Sequence, residues 1–223
     1  MAQGIMLGLF DSGRGGLNTV ECLKESGDAG SLVYLIDGGN APYGTKTVSE
    51  IVKITEQNVK LLTDMGARRV LIACCTASTV HPYLKDEYKK VSIPIIEPVA
   101  NAAKCATKRG RIGVIATEHT VHSGAFPRAL RGLEVEELSL SELVPLIDGG
   151  LSDATANEDD VRMLKEMLRP ILTKNIDVLI LGCTHFPALK RTIEKIANEY
   201  GDVRLIDSAR VGADVLRKYK NGK

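Results

Sequence analysis

Apolar residues along this chain follow two rhythms. Short, nearly unbroken runs occur at 5–10, 32–36, 70–73, 93–96, 112–116 and 178–181, with a weaker one at 203–206. Runs of this kind fit parallel strands covered on both faces. Between them the spacing becomes helical. Val48, Ile51, Val52, Val59, Leu62 and Met65 keep one face, and Gly66 supplies a stop. Val161, Leu164, Leu168, Ile171 and Leu172 line a second helix, and Leu189, Ile193, Ile196 and Tyr200 a third, with Gly201 just after it. Ser141 before 142–147 reads as a helix start, and Gly149-Gly150 as its end. The polar, glycine-rich stretch 149–157 is the best candidate for a mobile segment. The alternation is a βαβ pattern and predicts a parallel α/β architecture.

The pattern also repeats. Val70-Leu71-Ile72-Ala73-Cys74-Cys75-Thr76 has an echo in Val178-Leu179-Ile180-Leu181-Gly182-Cys183-Thr184. Gly8-Leu9-Phe10-Asp11-Ser12 has one in Gly113-Val114-Ile115-Ala116-Thr117, at nearly the same offset. The expectation is two similar parallel-sheet α/β domains related by a pseudo-two-fold, with the active site in the cleft between them. The boundary falls near 94–98, giving 1–97 plus 207–223 as the first domain and 98–206 as the second. The run at 203–206 could return to the first half.

Composition narrows the function. The chain has 223 residues, 44% hydrophobic and 26% charged, ordinary for a soluble globular protein. A net charge of +1 gives no electrostatic case for nucleic acid or an anionic membrane as partner. The start lacks a basic n-region and a cleavage pattern, and no apolar run approaches the roughly 18 residues of a membrane span. Five cysteines, an odd number, point to free thiols in a reducing cytoplasm. No Cys-x-x-Cys pair exists, and Cys183-Thr184-His185 is too tight for the usual zinc chelate, so no metal is expected.

Cys74 and Cys183 each close an apolar strand, where α/β folds keep their chemistry. A lone strand cysteine is usually core, but a matched pair, each with a threonine following, argues for function. One thiol on each side of a cleft is what an enzyme that swaps protons without a cofactor needs. His185, beside Cys183, can take or give a proton near neutral pH. The segment 10–16 is a glycine-rich βα turn that fits neither Gly-x-Gly-x-x-Gly nor the P-loop, and an acid at the strand tip disfavours phosphate. Pro42-Tyr43-Gly44 is a tight turn with exposed backbone donors. Cys22 and Cys105 sit in helical segments and read as packing. His81, His119 and His122 carry no comparable context.

Together, Asp-Ser-Gly-Arg-Gly-Gly at 11–16, Pro-Tyr-Gly at 42–44, Ala-Cys-Cys-Thr-Ala-Ser at 73–78 and Gly-Cys-Thr-His-Phe-Pro at 182–187 resemble the signatures of the glutamate racemases, within the aspartate/glutamate racemase superfamily. The segment 115–121 resembles another, and the likeness runs from about residue 7 to 212. It implies a cofactor-independent isomerase that interconverts L- and D-glutamate for cell-wall peptidoglycan. It implies Cys74 and Cys183 as the two acid/base groups, Asp11 assisting the first, and His185 with Asp148 assisting the second. Ser12, Pro42, Tyr43, Gly44, Cys75, Thr76, Thr117, Thr120 and Thr184 match substrate-holding positions. The expected partners are a small amino-acid substrate and a second copy of the chain, since the family forms dimers in more than one arrangement.

Two departures bear on the substrate. The family usually has Asn where this chain has Cys75, and a thiol is weak at both donating and accepting. It usually has Glu where this chain has Asp148, one methylene shorter. An aspartate or broader amino-acid racemase stays open beside the glutamate reading, as do a thiol redox protein using Cys74-Cys75 and a binding protein without turnover.

Overall fold

In the computed structural model, which describes residues 5–27 and 31–220, strands and helices alternate throughout. The order is β1 (Leu7–Asp11), α1 (Leu17–Glu25), β2 (Leu32–Ile36), α2 (Val48–Asp64), β3 (Arg69–Ile72), α3 (Cys75–Ser78), α4 (Asp86–Val91), β4 (Ser92–Pro94) and α5 (Ile96–Ala106). It continues with β5 (Arg111–Ala116), α6 (Glu118–His122), α7 (Ala125–Ala129), β6 (Glu134–Ser139), α8 (Leu143–Asp148), α9 (Glu158–Leu172), β7 (Val178–Gly182), α10 (Lys190–Asn198), β8 (Arg204–Asp207) and α11 (Ser208–Lys220). Residues 1–4, 28–30 and 221–223, which the two-domain expectation includes, lie outside the described residues.

The strands form two four-stranded sheets, ordered β2-β1-β3-β4 and β6-β5-β7-β8, with every recorded pairing parallel. The second order repeats the first, so the internal echo in the sequence is an echo of topology. In each sheet the strand order reverses beside the first strand, between β1 and β3 and between β5 and β7. Such a switch point opens a crevice at the carboxyl ends. β1 and β7 are buried at every position because helices cover both faces, which is why their sequences lack alternation.

A central apolar layer joins the two sheets. Leu9 and Leu71 of the first sheet share one cluster with Ile112, Val114, Val178 and Ile180 of the second, through Val99 and Ala103 of α5 and Ala213 and Leu216 of α11. A second cluster lies under α2, and a third under α9 and α10. The halves therefore share a core. Phe126 of α7 is fully buried in that layer, against the backbone of Gly182.

Several expectations need correction. β8 pairs with β7 and stays in the second sheet; the chain returns to the first half through α11, which packs on α1, α5 and β3. β6 has no counterpart among the expected strands. Its sequence, Glu-Val-Glu-Glu-Leu-Ser, is that of a sheet edge, with Glu134 and Glu136 exposed and only one neighbour to pair with. Ser141 does not start α8; its hydroxyl accepts from the Glu118 amide at 2.8 Å, tying α6 to the approach to α8. The stretch 149–157 is anchored: the Asp153 carboxylate accepts from the Arg191 and Thr192 amides and the Thr192 hydroxyl, and Asn157 forms a capping box with Asp160. Cys105 is exposed on α5, not packed, whereas Cys22 packs half-buried against the central layer.

Because Phe126 is wholly enclosed and contacts both sheets' common layer, Phe126→Ala is expected to cost about 3–5 kcal/mol. Urea titration read by far-ultraviolet circular dichroism checks this, and a loss under 1 kcal/mol would contradict the shared core.

Candidate active site

The two switch points face each other across one cavity of about 520 Å³. From the first half come Ser12, after β1, the turn Pro42-Tyr43-Gly44, and Cys74, Cys75 and Thr76, after β3. From the second come Thr117, after β5, Asp148 at the end of α8, and Cys183, Thr184 and His185, after β7. Twelve of the fourteen residues expected from sequence thus line one space. The other two, Asp11 and Thr120, are fully buried and stand behind the wall.

Cys74 serves as the cap of α3. Its Sγ accepts from the Ala77 amide at 3.4 Å and lies 3.3 Å from Ser12 Oγ. Burial, with Asp11 nearby, pushes the thiol up to about 11, against the opposing pull of Ser12 and the Ala77 amide. Cys183 Sγ lies 3.7 Å from His185 Nδ1, and burial raises its pKa too, with Cys74 and Asp11 adding to the shift. Cys75 also faces the cavity; burial, then Cys183, then Cys74 raise its thiol well above the usual range.

Asp11 closes β1 with one oxygen accepting from the Gly13 amide at 2.9 Å and the other buried without a hydrogen-bond partner. Burial raises its carboxyl pKa, although the Gly13 amide, His185 and Thr184 favour the charged form. Asp148 Oδ1 stands 3.2 Å from His185 Nε2 without hydrogen-bond alignment, and the Asp148 side chain is half exposed.

Three threonine hydroxyls knit the halves together. Thr76 lies 3.0 Å from Thr117 and 3.3 Å from Thr120, and Thr117 lies 2.9 Å from Thr120. Thr120 thus acts on the cavity through its two neighbours. Tyr43 is buried with its hydroxyl donating to Asp37 at 2.5 Å, and Asn58 donates to both at 2.8 and 3.0 Å. Burial pushes the Asp37 carboxyl up, but the hydrogen bonds from Tyr43, Asn58 and Asn40 outweigh it and hold the group below its usual range. This network, invisible as a motif, fixes the turn whose backbone borders the cavity. An acid at the tip of β2, before Gly38-Gly39-Asn40, was its one sequence signal.

Sequence reasoning also missed Gly13, Thr45, Glu118, Ser141, Val144 and Pro145 in the lining. Among the described residues no lysine or arginine lines the cavity, so His185 is its basic side chain. Hydroxyls of Ser12, Thr76, Thr117 and Thr184 border it instead. No three His, Cys, Asp or Glu side chains among the described residues are grouped to hold a metal ion, and no described helix is long and apolar enough to cross a membrane.

Two buried thiols at matching strand tips border one cavity, an arrangement that can give and take protons there. The class is that of an amino-acid racemase, an isomerase, and the comparisons agree. A family model described as Asp/Glu/Hydantoin racemase matches residues 18–216, and the chain belongs to that family. It is 39% identical over 214 residues to a glutamate racemase of Desulforudis audaxviator, covering 94% of this chain and 76% of the relative. Among solved structures, a glutamate racemase isoform from Bacillus anthracis superposes with a TM-score of 0.86 at 30% identity, covering 98% of this chain and 82% of that one. The Francisella tularensis glutamate racemase in complex with D-glutamate gives 0.82, also at 30%, with the same coverage.

The raised carboxyl pKa makes Asp11 a stability cost near neutral pH. Below the unfolded value of about 3.8 both states carry the proton and nothing is lost; above it the unfolded state ionises first and folding weakens. Asp11→Asn is therefore expected to raise the thermal midpoint at pH 7, by about 2–4 °C per kcal/mol recovered, with the gain fading below pH about 4. Calorimetry at the two pH values checks it, and a lower midpoint at pH 7 would reverse the assignment.

Proposed function

We propose that this chain interconverts L- and D-glutamate without a cofactor, Cys74 and Cys183 working from opposite faces of the substrate α-carbon. The observation that carries the reading is the delivery of both thiols, from equivalent strand tips of two sheets, into one cavity. Glutamate is preferred as substrate because the relatives above are glutamate racemases, one of them solved with D-glutamate.

In this reading one cysteine, as thiolate, removes the α-proton, and the other, as thiol, returns a proton from the far side. Reversal exchanges the roles. The intermediate carries charge that spreads into the substrate carboxylate, and donors already in place lower its energy without reorganising. Ser12, Thr76, Thr117 and Thr184 supply hydroxyls for that purpose. Burial holds both thiols neutral, and a substrate ammonium beside them favours a thiolate. Asp11 assists Cys74; His185, steadied by Asp148, assists Cys183.

The same reading places the enzyme in the cytoplasm, supplying D-glutamate for peptidoglycan, as a homodimer of two-domain subunits divided at 1–97 plus 207–223 and 98–206. One observation favours a second reading. Cys75 borders the cavity where the family usually has Asn, which supports a pocket retuned for aspartate or for a wider range of amino acids.

The test is a circular-dichroism time course with L-glutamate, and L-aspartate in parallel, in reducing buffer without pyridoxal phosphate. The glutamate signal is expected to decay to zero, and Cys74→Ala and Cys183→Ala each to slow it at least a thousandfold; undiminished turnover by either variant would sink the two-thiol mechanism. Since the Cys74 thiol is pushed up to about 11, thiolate is scarce at pH 7, and kcat/KM is expected to climb from pH 7 to 9. A pH–rate profile flat over that range would mean that a base of lower pKa does the work.

A further inference from the structure

The loop that carries Cys183 is held by the opposite half of the molecule. Thr184 sits between Cys183 and His185, so whatever fixes Thr184 fixes both neighbours. Asn18, in the first turn of α1, donates from Nδ2 to the Thr184 carbonyl oxygen at 2.8 Å. The approach is close throughout: a Cβ on Gly15 would stand 2.4 Å from Thr184 Oγ1 and 2.7 Å from its carbonyl carbon, so only glycine lets the turn before α1 seat there. The Cys74 loop is clamped in the mirrored sense, its Thr76 hydroxyl held by Thr117 and Thr120 of the second half. That clamp is a ring of three hydroxyls. The clamp on Thr184 uses one side-chain amide.

Asn18 does not line the cavity and touches no reacting group. We infer that Asn18 is a positioning residue for the Cys183 side of the reaction, its amide holding the Thr184 carbonyl so that Cys183 and His185 keep their place opposite Cys74. This rests on the two-thiol reading. Proton transfer between a thiol and a carbon is steep in distance, and a misplacement of about 1 Å can cost roughly a hundredfold. α1 suits the task because it is packed along α11.

Total rates cannot expose such one-sidedness. L- and D-glutamate have equal free energy, so any variant must keep equal kcat/KM in the two directions. Isotope effects can expose it. A weakened Cys183 step makes removal of an α-deuteron by Cys183 more rate-limiting, which raises the primary effect in that direction alone. Ser12→Ala provides the opposite-sided comparison, because Ser12 Oγ lies 3.3 Å from Cys74 Sγ.

The experiment measures kcat/KM and the primary deuterium effect with α-deuterated L- and D-glutamate for the wild type, Asn18→Ala, Asn18→Asp and Ser12→Ala. Asn18→Asp keeps the shape and removes the donor, so the result does not hang on one substitution. Both Asn18 variants are expected to lose about tenfold to a hundredfold in kcat/KM. Their isotope effect should rise in one direction only, opposite to the direction raised by Ser12→Ala. A racemizing wild type whose Asn18 variants keep their rate within twofold, or whose isotope effects rise equally both ways, overturns the role of Asn18 alone. A wild type that racemizes neither glutamate nor aspartate overturns the parent reading, and this inference with it.

Discussion

Desolvation governs this molecule. Three thiols and a carboxylate, Cys74, Cys75, Cys183 and Asp11, are withdrawn from water at one seam, and burial is the largest influence on every one of them. A seam of that kind holds together only if apolar packing outweighs its cost. Here the packing is the central layer that Leu9, Leu71, Ile112 and Val178 share through α5 and α11. The polar seam and the common core are two sides of one arrangement: the helices that join the sheets also bring their carboxyl ends face to face. What the buried groups gain is poise. A thiol that burial keeps from ionising responds strongly to a charge placed beside it.

Much of this was legible along the chain because its causes are local. An apolar run without alternation has to be covered on both faces, so β1, β3, β5 and β7 stand out. The doubled Val-Leu-Ile pattern before Cys74 and Cys183 marked equivalent places in two equivalent sheets. Motif likeness then brought in Asp148, Thr117 and Thr120, which nothing in the spacing would single out. What escaped were features set by neighbours far away in sequence. β6 hides because an edge strand of glutamates does not alternate like a half-buried one. Ser141 has the look of a helix cap, yet its hydroxyl is taken by the Glu118 amide. The Asp37–Tyr43–Asn58 network joins three segments whose approach no local pattern announces. The run before Asp207 has the character of any buried strand, and its partner, β7, was decided by the sheet and not by the strand.

The two walls of the cavity have different mechanical characters. On the first side, the turn at Tyr43 is backed by charged and amide groups with a carboxylate at their centre. On the second, Asp148 and the residues around it come from α8, a short helix at the surface whose last side chain is half exposed. Charge enters the lining from this outer side, through Asp148 and Glu118, while the inner side offers hydroxyls and thiols.

The acidic edge at β6 has a bearing on how copies of the chain meet. A strand with one free side is a template for another strand, and unprotected edges invite sheets to grow from molecule to molecule. Glu134 and Glu136 are exposed on that edge strand, Glu134 paired with Arg111 of β5 at 2.8 Å, and a second such strand brought alongside would add carboxylate to carboxylate. The acidic side chains of β6 thus disfavour pairing of this edge of the second sheet with its own copy.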